Sequence, residues 1–276
     1  MLSLPTEAPA GLGEAMRYAT LDGGKRLRPL LVMAACEATG GLESAALLAA
    51  CATELIHAYS LVHDDMPCMD NDHLRRGKPT VHIEFGEAQA LLAGDAMQAL
   101  AFEILTTAAH HIIPPALQAK LCGILARAAG HAGMAGGQAI DLAHVGQSIT
   151  EVQLRRMHQL KTGALLQASI MMGAACGRMT PSHGQALERF GQAVGLAYQV
   201  VDDILDATQS SEILGKSAGK DALQQKPTYV SVMGLAAAQE LAQTLRHQAL
   251  SALQDSGLPH PLRLQQLADR MINRQH

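Results

Sequence analysis

From Glu43 to His63 the apolar residues Ala46, Leu47, Ala50, Cys51, Leu55 and Ala58 recur at intervals of three and four, the repeat of one face of an α-helix. The same bias runs through the chain. Hydrophobic residues fill 48% of its 276 positions, yet there are only three Phe, four Tyr and no Trp. Ala and Leu dominate and head the helix-propensity ranking, while strand formers are sparse. The sequence therefore predicts an all-α protein, a single large helical domain over residues 1–276 with a central bundle of about ten helices.

Glycines and prolines place the elements. Residues 12–20 suit a short helix ended by the Leu21–Gly24 step. Pro29 suits the first turn of a helix running to Thr39, where its missing amide has no partner to lose, and Gly40-Gly41 stops it. The Glu43–His63 helix breaks at Pro67. A long helix is expected from Glu84 to Ala109, another from Pro114-Pro115, and a glycine-interrupted one reaching Leu142, in which Gly133, Gly136 and Gly137 mark close packing or a bend. Thr150 and Gln153 are spaced as a capping box at the head of a run to Cys176. Further helices are expected over 183–205, 228–254 and 261–273, with a polar stretch over 208–227. No linker, low-complexity tract or repeat period divides the chain.

Composition removes several function classes. Only 17% of residues are charged and the net charge is −4, which supports neither disorder nor a broadly basic nucleic-acid surface. Five cysteines at wide spacing, with no C-x-x-C pair, oppose a disulfide framework or a structural zinc site. The start, MLSLPTEAPAG, reads as neither a signal nor a transit peptide. Each 18-residue window is interrupted by charge or Gly, so no membrane span is expected. These readings predict a cytoplasmic protein.

Residues 63–82 differ in kind: HDDMPCMDNDHLRRGKPTVH, from His63 to His82, concentrates acids, bases and two prolines between helices. On composition alone this is an ordinary polar loop. Asp64 and Asp70 would lie about 240° apart on an undistorted helix, too far round to share an ion, unless Pro67 unwinds the backbone and returns Asp70 toward Asp64. A second cluster, Asp202, Asp203 and Asp206, falls within about one helical turn among apolar neighbours, where unpaired carboxylates repel and call for a cation. Two carboxylate sets without His or Cys in ligand spacing suit a hard ion such as magnesium that bridges to phosphate. Basic groups flank them: Lys25, Arg26 and Arg28 after a double glycine, Arg75-Arg76, Lys161, Lys216, Lys220 and Lys226. Separate acidic and basic sets imply two phosphorylated ligands, one reached through metal and one gripped directly.

In this order the motifs GGKRLRP (23–29), LIHAYSLVHDD (55–65), LRRGKPTVH (74–82), GGQAIDL (136–142), KTG (161–163) and YQVVDDILD (198–206) resemble the trans-prenyl diphosphate synthases, most closely the bacterial farnesyl type, over about residues 18–230. The resemblance implies an isoprenoid synthase fold and a homodimer. It implies that Asp64, Asp65, Asp70 and Asp202 ligate three magnesium ions on an allylic diphosphate, dimethylallyl or geranyl, with Asp203 and Asp206 supporting or ligating through water. Arg75, Lys161 and Lys216 would touch the same diphosphate. Gly24, Lys25, Arg28, His57 and Arg76 would bind isopentenyl diphosphate. Thr162 and Gln199 would line the reacting centre, and Lys226 and Arg274 are further basic positions. The implied reaction is allylic ionisation, alkene attack and proton loss to the released diphosphate.

Tyr59, about 7.5 Å down the helix from Asp64 at the usual rise, would floor the groove for the growing tail, as in the farnesyl type; (2E,6E)-farnesyl diphosphate is the expected product. Tyr59 as an ordinary core residue, and a geranylgeranyl diphosphate synthase of the same family, are the alternatives. A terpene cyclase needs no second basic site, and a silent regulatory subunit would ordinarily have lost one aspartate cluster. Residues 208–227 are a candidate lid.

Overall fold

In the computed structural model, residues 9–21, 23–147, 149–208 and 227–274 are described. The helices are α1 (Leu12–Leu21), α2 (Leu27–Ala38), α3 (Glu43–Asp64), α4 (Val81–Phe85), α5 (Glu87–Thr106), α6 (Pro115–Ala129), α7 (Met134–Ala143), α8 (Glu151–His158), α9 (Ala164–Ala175), α10 (Pro181–Thr208), α11 (Tyr229–Met233), α12 (Leu235–Gln254) and α13 (Leu262–Ile272). A single π-helical turn, Gln159–Gly163, joins α8 to α9. The all-α expectation holds, with one small addition: β1 (Leu74–Arg75) pairs antiparallel with β2 (Lys78–Pro79).

The capping box opens α8 as expected: the Thr150 amide donates to Gln153 Oε1 at 2.9 Å, and the Gln153 amide donates to Thr150 Oγ1 at 3.3 Å. Two expected long helices are each broken by a glycine. Gly86 (φ +86°) separates α4 from α5, and Gly234 (φ +83°) separates α11 from α12. Both sit where an L side chain is strained, so each glycine redirects the chain between helices that would otherwise fuse.

Ala, Leu and Met of α3, α5, α6 and α9 form one core, including Leu55, Ile56, Met97, Leu121 and Met172. A second lies among α2, α9, α10, α12 and α13 around Leu31, Phe190 and Leu253. A third lies among α8, α10, α11 and α12 around Met157, Val200 and Tyr229. Small residues set the spacing: a Cβ on Gly173 of α9 would collide with the Val32 carbonyl of α2. Helix α3 corrects the expectation that no apolar window is long enough to cross a membrane. By length and hydropathy it is, since Glu54 is its one acidic residue between Glu43 and Asp64, and 67% of its apolar window is buried inside the protein. A helix packed on several sides is apolar all round for that reason.

Candidate active site

Helix α3 ends at Asp64, and after Pro67 the chain folds into successive turns. The Met69 amide donates to the Met66 carbonyl and the Asp70 amide to the Asp64 carbonyl, each at 2.9 Å. Asp70 is thereby returned beside Asp64, as the unwinding argument requires, and both line a cavity of about 580 Å³. From α10, Asp202, Asp203 and Gln199 line the same cavity. Burial is the main reason the Asp64 pKa is pushed up to about 6; Asp70 adds to the rise, while Lys161 and Arg75 oppose it.

The basic wall is built from two turns. Gly24 (φ +88°) has no side chain, and a Cβ there would lie 2.6 Å from Arg76 Nη1, so the guanidinium lies directly over bare backbone. Arg76 is itself at a left-handed position (φ +53°) in the turn between β1 and β2. Lys25, Arg28, His57, Arg75 and Arg76 all reach the cavity. Arg26 also lines the cavity and is tied there to Glu54 at 2.6 Å. Burial lowers the Arg28 pKa. Burial, and then Arg28, Arg76, Arg75 and Arg26, hold His57 well below its ordinary value, so His57 is neutral at pH 7 and can donate through a ring N–H without adding charge.

The third wall is the π-helical turn. Lys161 Nζ bonds Asp141 Oδ2 at 2.5 Å. Thr162 Oγ1 donates to Gln199 Oε1 at 3.1 Å, and Gln199 Nε2 donates to Asp203 Oδ1 at 2.9 Å. The other Asp203 oxygen accepts the Tyr229 amide at 2.8 Å. A polar chain therefore runs from the turn to α10 and on to the start of α11. Gly137 of α7 makes the approach possible, because a Cβ there would collide with the Lys161 backbone nitrogen.

Other expected site residues are placed differently. Asp65 is only 2% exposed and takes a forked pair of bonds from Arg75, Nε to Oδ2 at 2.8 Å and Nη2 to Oδ1 at 2.5 Å. Asp65 and Arg75 thus face each other here. Burial works against the Arg75 charge, but Asp65 outweighs it and raises the pKa. Asp206 is 8% exposed and does not line the cavity. Asp202 accepts from Arg274 Nη2 at 3.0 Å, whose guanidinium stands 4.1 Å above the Tyr198 ring. Lys216, Lys220, Lys226 and most of the candidate lid lie outside the described residues. Glu54, Asp141 and His158 line the cavity without having been assigned from sequence. Asp141 had a signal, the GGQAIDL motif; Glu54 and His158 had none. Burial pushes the His158 pKa down to about 4.

Among the described residues no three His, Cys, Asp or Glu groups gather closely enough to hold a metal ion by themselves. Asp64 and Asp70 on one wall and Asp202 on another suit ions that share their oxygens with a phosphorylated ligand, the usual habit of magnesium. A second cavity of about 410 Å³ runs from Asp64, Lys161 and Thr162 past Tyr59, His63, Met134 and Leu142. Its apolar members fit a hydrocarbon tail, and Tyr59 is among the residues that line it.

Residues 9–256 match the polyprenyl synthetase family. The chain belongs to that family. Geranylgeranyl pyrophosphate synthase 12, chloroplastic, of Arabidopsis thaliana is 48% identical over 255 residues, 91% of this chain and 71% of the relative. Among solved polyprenyl synthetases, an FPP/GFPP synthase from Zymomonas mobilis is 43% identical with a TM-score of 0.86, covering 98% of this chain and 91% of that one. A geranyltransferase from Helicobacter pylori, complexed with magnesium and isoprenyl diphosphate, is 35% identical with a TM-score of 0.86 over 99% and 90% of the two chains. This member of the family is thus a prenyltransferase with an isoprenoid synthase fold.

Proposed function

We propose that the protein joins isopentenyl diphosphate to dimethylallyl or geranyl diphosphate. One observation carries the reading: acidic walls from α3 and α10 and a basic wall around Arg28 and Arg76 enclose one cavity, from which the tail cavity departs at Asp64. Asp64, Asp70 and Asp202 would hold magnesium, which supplies charge neutralisation to the leaving diphosphate. Lys161 adds a fixed cation on the same side. As the allylic C–O bond breaks, the diphosphate keeps the electron pair; the alkene then forms the new C–C bond and a proton is lost to the released diphosphate. Thr162 and Gln199 present neutral dipoles to the transient cation, which they can favour without capturing it. Lys25, Arg28, Arg76 and neutral His57 hold the second diphosphate, the guanidiniums by forked hydrogen bonds.

For product length two readings stand. The relatives named as geranylgeranyl synthases, at 47–48% identity, favour geranylgeranyl diphosphate, and by names alone this reading is the better supported. Tyr59 favours farnesyl diphosphate. Overall identity reports mainly on fold and head-group machinery, whereas release length depends on the few side chains along the tail. Tyr59 is 9% exposed, lines the tail cavity and is held by Gln98, whose Nε2 donates to its hydroxyl at 3.4 Å. We therefore take farnesyl diphosphate as the product. Labelled isopentenyl diphosphate with each allylic primer, with and without magnesium, should give magnesium-dependent farnesyl diphosphate, and Tyr59→Ala should make geranylgeranyl or longer chains predominate. Geranylgeranyl diphosphate from the unmodified protein would establish the other reading; no condensation with either primer would end both.

A further inference from the structure

Gln138 stands at the centre of the GGQAIDL motif, on α7. Its side chain is 9% exposed and lines the tail cavity, yet neither Nε2 nor Oε1 has a hydrogen-bond partner. Other polar side chains along that cavity are engaged: Tyr59 with Gln98, Ser60 with the His57 carbonyl, His63 with the Leu91 carbonyl and Thr162 with Gln199. A buried polar group without a partner costs about 1–3 kcal/mol. Such a group calls for an answer from outside the fold: water, an ion or a reacting charge.

Its position selects the reacting charge. Asp141, Gln138 and Met134 follow one another on one face of α7, Gln138 about 4.5 Å and Met134 about 10.5 Å along the axis from Asp141 at the usual rise. Asp141 pairs with Lys161 at the head-group end, and Met134 lines the tail cavity. Gly137, the neighbour of Gln138, packs on the Lys161 backbone, which sets this level beside the π-helical turn. The face therefore passes from an ion pair through a neutral amide to a thioether. An allylic diphosphate presents its leaving group, its allylic carbons and its tail in that same order.

We propose that Gln138 is a further catalytic residue, whose Oε1 stabilises the allylic cation. The proposal rests on the prenyl-elongation reading and deepens it. When the C–O bond breaks, the electron pair leaves with the diphosphate and positive charge spreads over C1 and C3 of the primer. The amide oxygen of Gln199 already accepts from Thr162. That of Gln138 is not engaged, so it gives up no hydrogen bond on turning to the cation. Shielded from water, its dipole is little screened, and a neutral group neither captures the cation nor repels the departing diphosphate.

The test compares the binding of two primer analogues in the presence of magnesium. One is 2-(dimethylammonio)ethyl diphosphate, with a positive nitrogen in place of C3; the other is 3-methylbutyl diphosphate, its uncharged carbon counterpart. The unmodified protein should prefer the ammonium compound, and Gln138→Met should cut that preference about tenfold while leaving affinity for the carbon compound unchanged. Turnover should fall about ten- to a hundredfold with dimethylallyl and geranyl primers alike, with KM and product length unchanged, because the charge forms at the same carbons in both. The metal-free melting temperature should hold or rise, since the unpaired amide is gone. An ammonium preference that survives Gln138→Met, or equal weakening of both analogues, overturns the inference; so does a loss of kcat confined to the geranyl primer, which would report the shape of the tail cavity. If Gln138→Met does not fold, Gln138→Leu decides by the same ratio of affinities. Unmodified protein that condenses neither primer removes the elongation reading and this inference with it, whereas normal condensation with an unmoved ammonium preference removes the inference alone.

Discussion

Asp64 is half-buried beside Asp70, and its carboxyl has a pKa of about 6 in the absence of metal, raised chiefly by burial. An unfolded aspartate titrates near 3.9. The folded state therefore binds the extra proton between about pH 4 and 6, so stability falls as pH rises through that window and the cost is fully present above it. At pH 7 the gap between the folded and unfolded values corresponds to about 2–3 kcal/mol. Asp64→Asn removes the charge while keeping the shape. Metal-free Asp64→Asn should melt higher than the parent at pH 7.5 and nearly equal to it at pH 4.5, with condensation activity lost; equal melting temperatures at pH 7.5 would show that the carboxylate is not destabilised. The aspartates were legible in the sequence because an acidic pair after an apolar helix needs a cation. The forked Asp65–Arg75 bond was not, since it depends on a two-residue hairpin too short to leave a pattern.

The π-helical turn at Gln159–Gly163 places Lys161 and Thr162 on the cavity wall. Sequence periodicity carried one helix straight through this region to Cys176, because a single wide turn leaves the flanking apolar residues in helical repeat. Such turns recur at functional sites. The glycines of α7 were legible as marks of close packing, and Gly137 meets the Lys161 backbone. The obstacle there is main chain, which cannot rotate aside as a side chain can. Gly137→Ala should cost about 1–3 kcal/mol by overpacking, and moving Lys161 by even about 1 Å can lower turnover about a hundredfold. The expected pattern is a large fall in kcat with a modest fall in melting temperature. Wild-type kcat in a stably folded Gly137→Ala protein would show that the turn tolerates displacement. The breaks at Gly86 and Gly234 escaped the sequence reading for a different reason: a lone glycine inside a helical pattern is tolerated, and only the positive φ betrays the bend.

The three cores leave the site between them, with acidic groups on α3 and α10 facing a common cavity. Sequence order could list those walls, but their facing depends on α2, α9 and α10 packing through Ala and Gly seams, which is a property of the assembled bundle. In the ligand-free molecule Asp202 is engaged by Arg274 and Lys161 by Asp141, so protein cations already answer part of the acidic charge. No three acidic or imidazole groups among the described residues converge on one point, so an ion here needs oxygens beyond those that the described residues supply. Magnesium alone should therefore bind weakly, inorganic diphosphate alone should reach only the basic wall around Arg28 and Arg76, and the two together should also bridge α3 to α10. A ligand at a hundred times its Kd stabilises the native state by about 2.7 kcal/mol, and each kcal/mol is about 2–4 °C for a protein near this size. Thermal melting should show a shift under about 2 °C for magnesium alone, a shift for diphosphate alone that Asp64→Asn does not reduce, and roughly 5–10 °C more for both together. That excess should disappear in Asp64→Asn and in Asp202→Asn alike, since losing either wall breaks the bridge. A full shift with magnesium alone would mean a protein-built metal cage, and a shift that survives Asp202→Asn would mean that α10 takes no part in holding the ion.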